Sequence, residues 1–157
     1  MTRTAQSVRQ ILVVVAPLLS AVAPVAGQPP DVSLIEIQVG DNMRFTPSVI
    51  NASPGGQVRV VLKGVGKIPK TAMGHNFVLL KTGSDPKAFV DKSSPARETD
   101  FVVPAMKDQV IAATPLVGPD ETIDVTFAAP KKAGEYAFVC TFPGHFKLGM
   151  KGQLIVK

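Results

Sequence analysis

Cysteine occurs once, tyrosine once, histidine twice and tryptophan not at all in the 157 residues. One cysteine excludes an internal disulfide, so the fold must stand on packing alone. Two histidines exclude a multi-centre site built on imidazoles. Charge of one sign is also scarce in runs. Against 12 Asp+Glu the chain has 17 Lys+Arg, for a net +5, and the lysines form no long basic stretch. That excludes a nucleic-acid footprint. Internal repeats, low-complexity tracts and charge blocks are absent. No apolar run approaches the roughly 20 residues of a membrane span. The longest, Ile11–Leu19, is short and broken by Pro17.

That run instead fits a three-part export grammar. Arg3 and Arg9 make a positive start, Ile11–Leu19 an apolar core, and Ala21, Ala23, Ala26 and Gly27 a small-residue end. Pro24 disfavours a cut after Ala23, so residues 1–27 are read as a secretory signal peptide and Gln28 as the first mature residue. No cysteine lies near that point, which argues against a lipid anchor, and the arginines are not paired. The mature domain, 28–157, then has 157 − 27 = 130 residues, without a membrane span, and is read as a monomer. Without Arg3 and Arg9 it keeps 15 Lys+Arg against 12 Asp+Glu, a charge of +3 that supports modest steering toward an acidic partner.

The domain reads as strands. Ile35, Ile37 and Val39 alternate in Leu34–Val39, Val58, Val60 and Leu62 in Val58–Leu62, and Ile123, Val125 and Phe127 in Thr122–Phe127. Asn76–Leu80, Tyr136–Val139 and Gln153–Val156 complete the set. Turns at Ser53–Gly56, Gly118–Asp120 and Lys132–Glu135 separate them. Short strands at this spacing predict an all-β sandwich or barrel. The stretch from Ser84 to about Asp108, with Pro86, Pro95 and Pro104, lacks alternation and is read as a flap with a helical turn near Pro86–Val90.

Within this frame one segment carries chemistry. Cys140-Thr-Phe-Pro-Gly-His145-Phe-Lys-Leu-Gly-Met150 follows an apolar strand, and His75 stands in Met73-Gly-His-Asn-Phe77. Taken singly each residue has an ordinary explanation. A lone cysteine is usually a small buried hydrophobe, a histidine at a strand start is usually structural, and a methionine fills gaps. Jointly they are a thiolate, two imidazoles and a thioether, the donor set of a mononuclear type 1 copper centre that moves single electrons. Zinc fits less well, since structural zinc rarely takes methionine. Gly74, without a side chain, can bring its carbonyl to the metal opposite Met150; its alternative is a plain turn glycine. Asn76 is expected to hydrogen-bond the Cys140 loop and orient the thiolate. An oxidase or reductase needs further copper on further histidines, and both are already assigned, so this chain is not read as an enzyme. The competing reading is an exported copper-binding or storage module without redox traffic.

The motifs Met73–Leu79 and Cys140–His145, with Met150-Lys-Gly152, resemble those of the azurins among the cupredoxins, and Ile37–Phe45 and Ile68-Pro-Lys70 extend the likeness. The resemblance implies a Greek-key sandwich or barrel of about eight strands. It implies a soluble periplasmic carrier, with Gly74 (carbonyl), His75, Cys140, His145 and Met150 as copper ligands. Its partners would be transient redox proteins such as c-type cytochromes or a copper or haem reductase. Three features differ from azurins. The N-terminal disulfide has no cysteines, Phe77 replaces the usual tryptophan, and four residues rather than three separate His145 from Met150, an interval found in plastocyanin. The ring edge of His145 is expected at the surface, with Met73, Pro143, Gly144, Phe146 and Leu148 as an apolar docking collar and Phe142 packed inward. Lys147 and Lys151 could steer an acidic partner.

Overall fold

Alternating apolar residues become two facing sheets. The first joins β1 (Val32–Val39), β3 (Gln57–Gly64) and β6 (Thr122–Ala128) in that order. The second joins β2 (Val49–Ala52), β8 (Lys151–Val156), β7 (Gly134–Val139), β4 (Val78–Leu80) and β5 (Val110–Ala113). The computed structural model describes residues 32–157. The signal segment expected over 1–27 and the cut before Gln28 lie outside the described residues.

Register aligns the inward faces. β1 runs parallel to β3, with Ile37 opposite Leu62, and β3 runs antiparallel to β6, with Val58 opposite Phe127. Ile37, Val58, Val60 and Leu62 are almost fully buried while their neighbours Glu36, Arg59 and Asp124 face water. Each such apolar side chain contributes about 1.5–3 kcal/mol on leaving water. From the second sheet Leu154, Val156 and Phe138 meet them. Phe138 packs against Phe45 and Phe77, with ring centroids 5.0 and 4.9 Å away. Across the ladder stands Gly152, where any Cβ would collide with the Phe138 ring.

Two strands were not among those read from the sequence, β2 and β5. β4 is shorter than expected, because Asn76 and Phe77 precede it with bonds of another kind. The Phe77 N–H donates to the Thr114 hydroxyl (3.0 Å) and its carbonyl accepts from the Thr114 N–H (3.0 Å). The flap holds more helix than a single turn. Asp85 caps α2 (Pro86–Ser93), accepting from the N–H groups of Lys87 (2.9 Å) and Ala88 (3.2 Å), and Pro86 stands in its first turn. Phe89 and Val90 then pack on Val78, Leu80 and Val139, a second core on the outer face of the five-stranded sheet. Short 3-10 segments at Arg97–Thr99 and Pro104–Gln109 complete the flap. Among the described residues no helix is long and apolar enough to cross a membrane.

Candidate metal centre

His75 is presented by the sandwich. A four-residue helix, α1 (Lys70–Met73), ends at Gly74, and His75 then forms a lone bridge to Val117. The His75 N–H donates to the Val117 carbonyl (3.0 Å), and the Val117 N–H returns a bond (2.7 Å). Gly74 has an ordinary extended backbone, so conformation does not demand glycine there. Space does: a Cβ would stand 2.8 Å from the Lys70 carbonyl oxygen and 3.3 Å from Leu116 Cδ1.

Cys140, His145 and Met150 come from one tight loop between β7 and β8. Its bonds are short-range: His145 N–H to the Phe142 carbonyl (3.2 Å), Gly149 N–H to Phe146 (3.0 Å), Met150 N–H to His145 (3.0 Å). The Cys140 N–H donates to the Met150 carbonyl (3.3 Å) and closes the loop's neck. Gly144 (φ 90°) and Gly149 (φ 97°) take backbone conformations that side chains disfavour.

Donor atoms of His75, Cys140 and His145 all lie within 4.8 Å of one another. Cys140 Sγ is 3.5 Å from His145 Nδ1, and the imidazole centroids are 4.9 Å apart. All three residues are buried, as are Met150 and Gly74. Burial pushes the Cys140 thiol up to about 12, opposed by the backbone N–H groups of Asn76 and Phe142, which favour the thiolate. Burial lowers both imidazoles to about 4; for His75 the charge of His145 adds to this and that of Asp41 opposes it. Neither ring nitrogen of His75 has a hydrogen-bond partner among the described residues. A buried imidazole with no partner is unfavourable. Two neutral imidazoles and a thiol that only a nearby positive charge would ionise make a pocket that fits a soft cation.

Asn76 fastens this pocket. Its side-chain carbonyl accepts from the Thr141 N–H (2.9 Å), and its amide donates to the Thr141 hydroxyl (2.8 Å) and to the Asp100 carbonyl (2.8 Å). The bond to Asp100 ties the flap to the metal loop, a link the sequence does not signal because a backbone carbonyl carries no side-chain signature. Phe142 lies against the His145 ring (4.7 Å between centroids) and Phe101 of the flap against Phe142 (5.2 Å). Consequently His145 is only 4% exposed, where an open ring edge was expected. Of the expected collar, Pro143, Gly144 and Leu148 are exposed and Met73 is half-buried. Phe146 turns instead to the second core, with the Lys151 ammonium 5.7 Å over its ring. Arg44, unremarked in the sequence, donates to the Leu148 carbonyl.

Comparison with known proteins agrees with this geometry. The model of the copper-binding plastocyanin/azurin family matches residues 32–157. Azurin of Alcaligenes faecalis is 39% identical over 123 residues, covering 76% of this chain and 94% of the relative. The crystal structure of dithionite-reduced auracyanin from Roseiflexus castenholzii superposes with a TM-score of 0.69 at 34% identity, covering 80% of this chain and 97% of its own. An azurin from Methylomonas sp. strain J gives 0.71 at 30% identity, covering 80% and 98%.

Proposed function

The chain belongs to the plastocyanin/azurin family of copper-binding proteins, and from that premise we propose that it is an exported, periplasmic carrier of single electrons rather than an enzyme. The cofactor is one type 1 copper. The observation that carries the reading is the buried convergence of His75, Cys140 and His145, with both His75 nitrogens unpartnered. In this reading His75, Cys140 and His145 would hold the copper, with the Met150 thioether and the Gly74 carbonyl as further donors beside them. Copper supplies a one-electron couple whose cuprous form thioether and thiolate favour.

The chain's own residues do the rest. The backbone N–H groups of Asn76 and Phe142 orient the sulfur, and the bridge to Val117 fixes His75. Phe142 and Phe101 exclude water beside His145, so little solvent reorganises as charge changes. Exposed Pro143, Gly144 and Leu148 offer a small apolar contact on which a redox protein such as a c-type cytochrome or a copper or haem reductase docks briefly, and half-buried Met73 would widen it.

A visible spectrum with a redox titration tests this. The oxidised copper protein is expected to be intensely blue from thiolate-to-metal charge transfer, with a reversible couple, and Cys140→Ser to lose the band entirely. A Cys140→Ser protein that stayed blue would remove the ligand assignment; a blue protein with a slow, irreversible couple would point to storage instead.

A further inference from the structure

We propose that Arg44 is a positioning residue for the metal loop, its guanidinium gripping the Leu148–Gly149 segment next to Met150 and holding there an unneutralised positive charge that raises the reduction potential. The electrostatic half of this rests on the copper reading above; the mechanical half does not.

The turn after β1 aims the side chain. The Met43 N–H donates to the Gly40 carbonyl (2.8 Å), Met43 takes a left-handed φ of 51°, and the Arg44 N–H donates to Asn42 Oδ1 (3.1 Å). From there one guanidinium nitrogen donates both to the Met43 carbonyl (3.0 Å) and to the Leu148 carbonyl. The group also lies flat enough on Gly149 that a Cβ there would stand 3.1–3.4 Å from three of its atoms. Gly149 is glycine for its backbone conformation, and a Cβ there would also press on the cation beside it.

The grip acts where the loop has its fourth residue before Met150. Leu148 is otherwise exposed, and its carbonyl would face water. Held by Arg44, it fixes the approach to Met150, whose N–H bonds His145 and whose carbonyl accepts from Cys140. One hand of the clamp therefore touches the backbone that orders three of the proposed ligands.

Charge follows from the same placement. Arginine stays protonated at any ordinary pH. Among the described residues the ion pairs are Arg59–Asp124, Lys63–Glu36, Lys70–Glu121 and Lys87–Asp91, so no carboxylate neutralises Arg44. The opposing charge in the neighbourhood is Asp41, which is held by the Lys67 N–H (2.9 Å) and felt at His75. A positive charge at the loop favours the state with one more electron.

Two variants in the full copper-loaded chain separate charge from grip. Arg44→Gln is expected to shift the oxidised-to-reduced equilibrium about three- to tenfold toward oxidised copper at low salt. At 59 mV per tenfold for one electron that is about 30–60 mV lower, and the shift should shrink as salt screens the exposed group. Arg44→Lys should retain most of the potential. In the metal-free protein, hydrogen exchange at the Met150 amide should speed up about three- to tenfold in Arg44→Gln, because the loop loses its outer hold. Equal potentials in wild type and Arg44→Gln would overturn the electrostatic half, whatever the colour of the site. Unchanged exchange at Met150 would overturn the clamp, even if the metal reading itself were wrong.

Discussion

His75 enters the pocket from the sandwich, bonded twice to Val117 and backed by Gly74 against α1. Cys140, His145 and Met150 enter from a loop whose hydrogen bonds are mostly its own. The two halves obey different constraints. Around His75 the backbone is pinned by Val117 from a distant part of the chain, and a Cβ at Gly74 would meet the Lys70 carbonyl and Leu116, so a change there meets a wall. Around His145 the backbone conformation is set locally, and Gly144 has open space where a Cβ would go. Between the halves stands Asn76, next to His75 in sequence and bonded to Thr141, next to Cys140. A fixed half and a largely self-contained half, joined at the Asn76 seam and held from outside by Arg44, let the loop differ in length without disturbing the histidine across from it.

The largest test cuts the seam. Asn76→Ala should destabilise the metal-free protein by about 2–4 kcal/mol, since the Thr141 N–H and the Asp100 carbonyl lose their buried partner together. Urea unfolding measures this. A loss under about 1 kcal/mol would mean that frame and loop stand independently.

A smaller effect distinguishes the imidazoles from the rest of the core. In the metal-free protein both sit near 4, below the ordinary 6.5. Between those values the unfolded chain takes up protons that the folded chain refuses. Stability is therefore fully present above about pH 6.5 and falls as pH drops toward 4, by on the order of 1–2 kcal/mol per histidine given screening at the pocket rim. Unfolding midpoints across that window should show the decline, and His75→Phe should reduce it. A flat profile would place water, rather than a dry pocket, around both rings.

The smallest effect is the difference between two glycines. Gly74→Ala meets the Lys70 carbonyl and should cost about 1–3 kcal/mol, with weakened copper affinity because His75 must move. Gly144→Ala meets nothing and should cost only about 1 kcal/mol of backbone strain, with the visible band unchanged. Reversal of that order in calorimetry would erase the distinction between the halves.

Legibility from the sequence followed the same physical division. β1, β3 and β6 show alternation because one face of their sheet is wet. β4 does not, because Leu79 packs in the main core while Val78 and Leu80 pack under α2, leaving three buried residues in a row. β5 is Val110-Ile111-Ala112-Ala113, three of the four half-buried, too short and too evenly apolar to mark a face. α2 runs past the single turn expected, to Ser93, from the ordinary helix start of Asp85 and Pro86. At the site, donor types and spacing drew attention to His75, Cys140 and His145, because few side chains can do that chemistry. The partners that fix them were harder to see. Arg44 acts on a carbonyl, Asp100 offers one, and Phe101 reaches the site only through the flap's fold. Phe146 stands beside His145 in sequence, yet its ring packs on the second core with Phe89 and Val90 of α2.

The pairing of β2 with β8 has a consequence for assembly. Val49 stands opposite Gln153, so an early segment must wait for the latest strand of the sandwich before the second sheet can close. Such distant pairing is slow to find, because a long loop must lose its freedom before any contact rewards it. Met150 immediately precedes β8, and the neck of the metal loop is the bond between Cys140 and Met150. The loop that carries Cys140, His145 and Met150 is therefore anchored on its far side only when β8 finds both β7 and β2. Capture of a metal then follows the closing of the second sheet: before β8 docks, the loop has no closed neck to hold its thiol and imidazole opposite His75.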